Sequence, residues 1–262
     1  LAQALLPQWD AHPRVGALMS TRAGGVSVGP WDSLNLGLAS GDEAAAVARN
    51  RARFEQAIGA TPVYLRQVHA AHVVRLQAGS ALPDAIQADA AWTDTPGLAC
   101  TVLVADCLPV LMAAPAGRAV AAAHAGWRGL AGGVLEATLA AVTRAAQCAS
   151  ADVQIWMGPC IGPRQFEVGA DVLAAFGVAP ERTEGSCFSL RVRADGSPYR
   201  HADGHPRWWA DLAALARKRL RQAGVERLSG GSWCTVEDAS RFFSFRRDRI
   251  TGRMAAAIWL RD

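Results

Sequence analysis

The sequence predicts a single mixed α/β domain over residues 1–262, with buried strands and flanking helices. Three observations carry this expectation. Short runs of Val, Leu and Ala, apolar on both faces, recur along the chain and read as buried strands. Between them lie stretches with apolar residues on one face at helical spacing. No repeat, low-complexity tract or linker divides the chain, so one mixed core is the economical arrangement.

Val15–Thr21 reads as the first strand. The loop after it, Arg22-Ala23-Gly24-Gly25-Val26-Ser27-Val28-Gly29-Pro30, runs on through Ser33-Leu34-Asn35-Leu36-Gly37, and its tandem glycines mark unusual backbone angles. Asp42 is expected to cap a helix over Glu43–Ile58 that ends at Gly59. Val63–Val68 and Val73–Leu76 are extended. His69 and His72 lie between them, where strand geometry turns residues three apart to opposite faces, so at most one points into a site.

Residues 98–129 form the centre of the pattern. Leu98–Val104 and Ala119–Ala123 read as adjacent buried strands, the first leading into Ala105-Asp106-Cys107 and the second into His124. A thiol and an imidazole at neighbouring strand ends stand on a rigid scaffold and could share one ion. A Gly-rich turn then opens a helix over Leu130–Ala146, whose N-terminus beside Arg128 could hold an anion. Val153–Met157 is a strand, Ala170–Phe176 a helix, and 180–206 is irregular with a strand at Cys187–Val192. Trp208–Ala223 reads as a long amphipathic helix closed by Gly224. Trp233-Cys234-Thr235 is extended and Met254–Leu260 is the last strand.

Composition narrows the function. The chain is 51% hydrophobic and 19% charged, ordinary for a globular protein. Its apolar runs are far shorter than the roughly 18 residues that cross a bilayer, and no basic-then-apolar leader opens the chain, so a cytoplasmic protein without membrane contact is expected. A net charge of +4 from scattered arginines gives no nucleic-acid patch. Six separated cysteines without C-x-x-C read as reduced thiols.

With six histidines, of which His12 and His201 lie in polar context, and no H-x-H pair, the chain falls short of the roughly ten ligands of a four-copper oxidase. The zinc-deaminase signature fails too, because Gly162 and Pro163 follow Pro159-Cys160 where a second Cys belongs. H-E-x-x-H, G-x-S-x-G and Walker patterns are absent. Three readings of the remaining residues stay open: an open zinc site of Cys107, His124 and one of His69 and His72, a Cys107 nucleophile with His124 as base, or ordinary core residues.

Several ordered motifs resemble one family: R-Q-V-H at 66–69, A-D-C-L-P-V at 105–110, H-A-G-W-R-G at 124–129, G-P-C-I-G-P-x-x-F-E-V at 158–168 and F-F-S-F-R-R-D at 242–248. T-R-A-G-G-V-S at 21–27 and S-L-N-L-G at 33–37 match as well. Together they are similar to the laccase-domain, or polyphenol-oxidase-like, family, described as purine nucleoside phosphorylases with adenosine deaminase activity and as a peptidoglycan editing factor. The resemblance covers residues 21 to 253. It implies a cytoplasmic α/β sandwich of mixed β-sheets flanked by helices. It also implies bound zinc, with copper as the other cation suited to the same donors, held by His69, Cys107 and His124. It implies a purine nucleoside and phosphate as substrates of a monomer or homodimer. Arg22, Arg128 and Arg246 are then candidates for the phosphate, Asn35 and Ser244 for sugar or base contacts, and Glu167 for proton transfer. Two alternatives accompany this reading: an amide hydrolase acting on a nucleotide-linked muramic acid precursor, and a non-catalytic binding protein.

Overall fold

Strands apolar on both faces make the centre of the protein, and helices cover it on two sides. The computed structural model describes residues 1, 3–79 and 85–262. In chain order the described elements begin with β1 (Val15–Met19), α1 (Ala44–Ile58), β2 (Thr61–Tyr64), β3 (Val73–Arg75), β4 (Ala90–Thr93), β5 (Leu98–Val104), β6 (Leu108–Ala113) and β7 (Val120–Ala125). Next come α2 (Trp127–Ala131), α3 (Val134–Ala146), β8 (Gln154–Met157), β9 (Glu167–Val168), α4 (Ala170–Ala175) and β10 (Phe188–Leu190). The chain closes with β11 (Trp208–Ala210), α5 (Leu212–Gln222), β12 (Arg227–Gly230), α6 (Phe245–Asp248) and β13 (Met254–Leu260).

Two main sheets result, β1-β13-β5-β2 and β12-β8-β6-β7-β4-β3, with a small third sheet, β10-β11-β9. Both main sheets are mixed, since β2 runs parallel to β5 and β12 to β8, while β13 pairs antiparallel with β5 and β6 with β7. Alternation along β7 shows how they stack. Val120 and Ala122 share a core with Cys100, Val102 and Val104 of β5, so the two sheets face each other. Ala121 and Ala123 turn the other way, onto Leu135, Leu139 and Val142 of α3 and Leu215 and Leu220 of α5. On the outer face of the smaller main sheet, Leu18, Ala99, Ala257 and Trp259 pack on Phe54 and Ile58 of α1. The layers thus run α1, four strands, six strands, α3 with α5. Each large side chain sealed between them, such as Phe54 or Trp156, stabilises the fold by roughly 1.5–3 kcal/mol relative to exposure.

Several expectations change. Leu98–Val104 and the strand ending at His124 are not neighbours in one sheet; they face each other across the sandwich, and β6, which the sequence reading passed over, pairs with β7. The expected helix at Trp208–Ala223 starts with a strand, because Trp208 and Trp209 pair with β9, and α5 begins only after its cap Asp211. The helix expected at Leu130–Ala146 breaks at Gly132-Gly133, with Gly133 at φ 93°. Asp42 does not cap α1. Glu43 occupies that position, and the Asp42 carboxylate takes the Ser27 hydroxyl and the Asn35 amide.

Candidate metal centre

His124 is the second-last residue of β7 and shares the face of Val120 and Ala122, so its ring enters the space between the sheets at their end. Cys107 lies in the short link between β5 and β6, where the chain crosses from one sheet to the other. His69 follows β2 in a loop. The three ligand atoms lie within 4.8 Å of one another, with 3.9 Å between His69 Nε2 and Cys107 Sγ. The imidazoles meet edge to face, their centroids 4.8 Å apart. His124 is only 3% exposed, Cys107 is half-buried and His69 is open to solvent, so the cluster has one accessible side.

Long-range hydrogen bonds hold these side chains. Gln67 clamps the main chain of Leu103 with both ends of its amide, at 2.7 and 2.8 Å, and so extends the pairing of β2 with β5 toward the site. Asp89, fully buried, accepts from the main-chain N–H groups of Val68, His69 and Ala70 and from His124 Nδ1. Asp106 accepts from the Thr235 hydroxyl and the Arg246 main-chain N–H, each at 2.6 Å, which fixes the residue before Cys107. His69 and Asp106 both have positive φ, 60° and 98°, sparsely populated conformations that cluster at functional sites. Gly126 is needed for space: a Cβ there would stand 2.9 Å from His69 Cδ2 and 3.0 Å from Cys107 Sγ.

Burial pushes the Cys107 thiol up, but the neighbouring His124 and His69 outweigh it and bring the thiol down to about 6. Burial pushes His124 down, while the Cys107 thiolate and the Asp89 carboxylate carry it up to about 9. Each group thus favours the charged form of the other. The donor set fits a soft divalent cation: two imidazoles converge on a thiol whose deprotonation they favour, and a cation would take the place of the His124 proton.

The cluster stands at the wall of a cleft of about 540 Å³, within the range of small-molecule sites. Leu38, Leu65, Leu103 and Phe245 give it apolar surface, and Arg66 and Arg253 line it with positive charge. Sequence reasoning missed Arg253, Phe245, Gln67, Asp89 and Gly126. The R-Q-V-H, H-A-G-W-R-G and F-F-S-F-R-R-D motifs contained three of them, Gln67, Gly126 and Phe245, but nothing local marked their roles.

The other predicted site residues do not line this cleft. Arg22 donates to the carbonyls of Asp32 and Ala239 and stacks over Phe243. Buried Asn35 binds Ser40 and Asp42 through its amide nitrogen and accepts from the N–H groups of Gly37 and Arg253, so it supports the wall from behind. Ser244 caps α6, and the Arg246 guanidinium donates to the carbonyls of Gln165 and Glu167. The Glu167 carboxylate pairs with Arg191, and Arg128 is exposed over Trp127. His72 is exposed as well, with Nδ1 3.2 Å from the Gln87 carbonyl.

The chain is 44% identical to the purine nucleoside phosphorylase PA4543 of Pseudomonas aeruginosa over 98% of both proteins. It is 43% identical to the purine nucleoside phosphorylase YfiH of Escherichia coli, over 99% of this chain and 100% of that protein. The crystal structure of Neisseria meningitidis protein NMB0706, of the DUF152 family, superposes with a TM-score of 0.85 at 43% identity over 99% of both chains. A family model described as multi-copper polyphenol oxidoreductase laccase matches residues 16–261. That description exceeds the donors present, since His69, Cys107 and His124 form the one cluster of three metal-ligating side chains among the described residues. Fold, motifs and matched length agree, and the chain belongs to the family described as multi-copper polyphenol oxidoreductase laccase.

Proposed function

We propose that the protein is a zinc-dependent purine nucleoside phosphorylase acting on adenosine, inosine and methylthioadenosine, with adenosine deaminase activity in the same cleft. The convergence of His69, Cys107 and His124 on the wall of a cleft large enough for a nucleoside carries the reading. The names of the relatives from P. aeruginosa and E. coli support it. Zinc is preferred to copper because three protein donors with one accessible side match catalytic zinc sites, although the same donor types suit both metals. When bound, the cation supplies a Lewis acid beside the reacting atoms.

Phosphorolysis breaks the bond between C1′ of the ribose and the purine nitrogen and joins C1′ to a phosphate oxygen, while the departing base takes a proton. The site must therefore hold a polyanion next to a flat apolar ring. Arg253 and Arg66 are the guanidinium groups in the cleft for the phosphate. Phe245, with Leu38 and Leu65, offers the surface for the base. Asn35, Ser244 and Arg246 act through the lining segments that they hold. The six thiols among the described residues are all free, which suits a reducing cytoplasm, and no described helix is long and apolar enough to cross a membrane.

Chromatography of adenosine, inosine and methylthioadenosine incubated with zinc-loaded protein, with and without phosphate, tests the proposal. Free base that appears only with phosphate establishes phosphorolysis, and inosine formed from adenosine establishes deamination. No turnover of any nucleoside refutes both and favours the amide hydrolase, whose substrate needs the same kind of centre.

A further inference from the structure

Asp89 is fully buried and serves four donors with two oxygens. Oδ1 accepts from the His69 main-chain N–H and from His124 Nδ1, each at 2.8 Å. Oδ2 accepts from the N–H groups of Val68 and Ala70 at 3.1 and 2.8 Å. The Asp89 carbonyl also accepts from the His124 N–H at 2.7 Å, so His124 is held through both main chain and ring. One side chain thus grips the backbone of one candidate ligand and the imidazole of the other.

The geometry points to Asp89 as the positioning residue of the metal centre: it fixes His124 with its proton on Nδ1 and His69 in its left-handed conformation, so that Nε2 of both rings faces Cys107. The assignment of His124 Nε2 follows by elimination, because Nδ1 is taken by Asp89. For His69 the distance shows it directly, with Nε2 3.9 Å from Cys107 Sγ. Three successive N–H groups converging on one carboxylate hold a non-glycine residue at φ 60°. This inference rests on the three-ligand reading of the centre. Asp89 acts through the histidines and touches neither cation nor substrate.

The chemistry requires a carboxylate. An amide has one accepting end, so in Asp89→Asn either the Oδ1 pair or the Oδ2 pair of donors meets an NH2 group. The variant must release the His124 ring or the 68–70 turn. Removing the outer partner of a ligating histidine typically weakens metal binding about 10- to 100-fold.

The test uses Co2+ as probe, with affinity measured by chelator competition, the visible spectrum recorded on the loaded protein and the melting temperature recorded on the metal-free protein. For D89N the expected result is a loss of affinity of that size together with altered ligand-field bands. A folded D89N with wild-type affinity and spectrum overturns the inference, and so does a lower melting temperature with the spectrum unchanged. Should D89N not fold, nitrogen NMR of histidine-labelled wild-type protein with Zn2+ decides the matter. Metal on His124 Nε2 with a retained Nδ1 proton is expected, and metal on Nδ1 overturns the inference. Wild-type protein that takes up neither cation overturns the metal-centre reading itself. None of these readouts depends on nucleoside turnover, so a failed phosphorylase assignment is recognised separately.

Discussion

Adding one methyl group at Gly126 should separate metal binding from folding. Gly126 sits at φ −65° and ψ 159°, open to any residue, so Gly126→Ala carries no backbone strain. Its Cβ would lie 2.9 Å from His69 Cδ2 and 3.0 Å from Cys107 Sγ. Comfortable separations between such atoms are about 3.5–4.0 Å, so each neighbour must retreat by roughly 0.5 Å or more. His69 is exposed and can swing outward, which keeps the cost to the metal-free fold near the low end of the about 1–3 kcal/mol typical of overpacking. Ligand distances at a metal tolerate only about ±0.2 Å, so the displacement falls on the bound state. Zinc affinity should drop at least tenfold, or about 1.4 kcal/mol. Competition with a chromogenic chelator measures the affinity, and thermal unfolding of the metal-free variant measures the fold. A folded variant with wild-type zinc affinity would refute the reasoning, because it would mean that His69 and Cys107 need not stay where the structure places them.

The other expectations concern the same cleft. His124→Ala should lose bound metal and nucleoside turnover together, as shown by metal analysis and product chromatography; turnover that survives metal loss contradicts the site. In metal-free protein, alkylation of Cys107 by iodoacetamide should fall away as pH drops through about 6, because the lowered thiol is a thiolate above that value. Mass spectrometry at stepped pH reads this out, zinc should protect, and a midpoint near 9 would deny the His124 pairing. Cys100 and Cys160, whose thiols burial pushes up, should stay unlabelled in the native protein. Phe245, 47% exposed, should tolerate Phe245→Ala within about 0.5 kcal/mol of stability. If a purine stacks on it, the loss is about 1–3 kcal/mol, seen as a roughly 5- to 150-fold rise in nucleoside KM.

The α/β class was legible because the central strands are buried on both faces and spell it in Val, Leu and Ala. Their partners were not. β6 was passed over although Asp106 and Pro115 bracket it, because Pro109 within Leu108–Ala113 lacks an N–H for the ladder and reads against a central strand. The Trp208–Ala210 strand runs into α5 across the single residue Asp211, so two periods merged into one apparent helix. The geometry confirms that the three motif residues lie together, a fact that spacings of 38 and 17 residues could not supply. Asp89 and Gln67 stayed invisible because their contacts span 19 to 36 residues and depend on how the sheets stack. Arg22, Asn35 and Arg246 stood out by motif, yet their polar groups close loop carbonyls and turns that only the folded chain brings near.

The cleft has two kinds of wall. His69, Cys107 and His124 are tied to the sheets through Gln67, Asp106 and Asp89, whereas Gly37–Ser40 and Phe245, at the start of α6, add lining from outside the sheets. The possible metal ligands and much of the apolar lining therefore sit on separable parts of the chain. Substitutions at residues 37–40 and at Phe245 should accordingly shift any substrate preference while leaving metal affinity at His69, Cys107 and His124 unchanged.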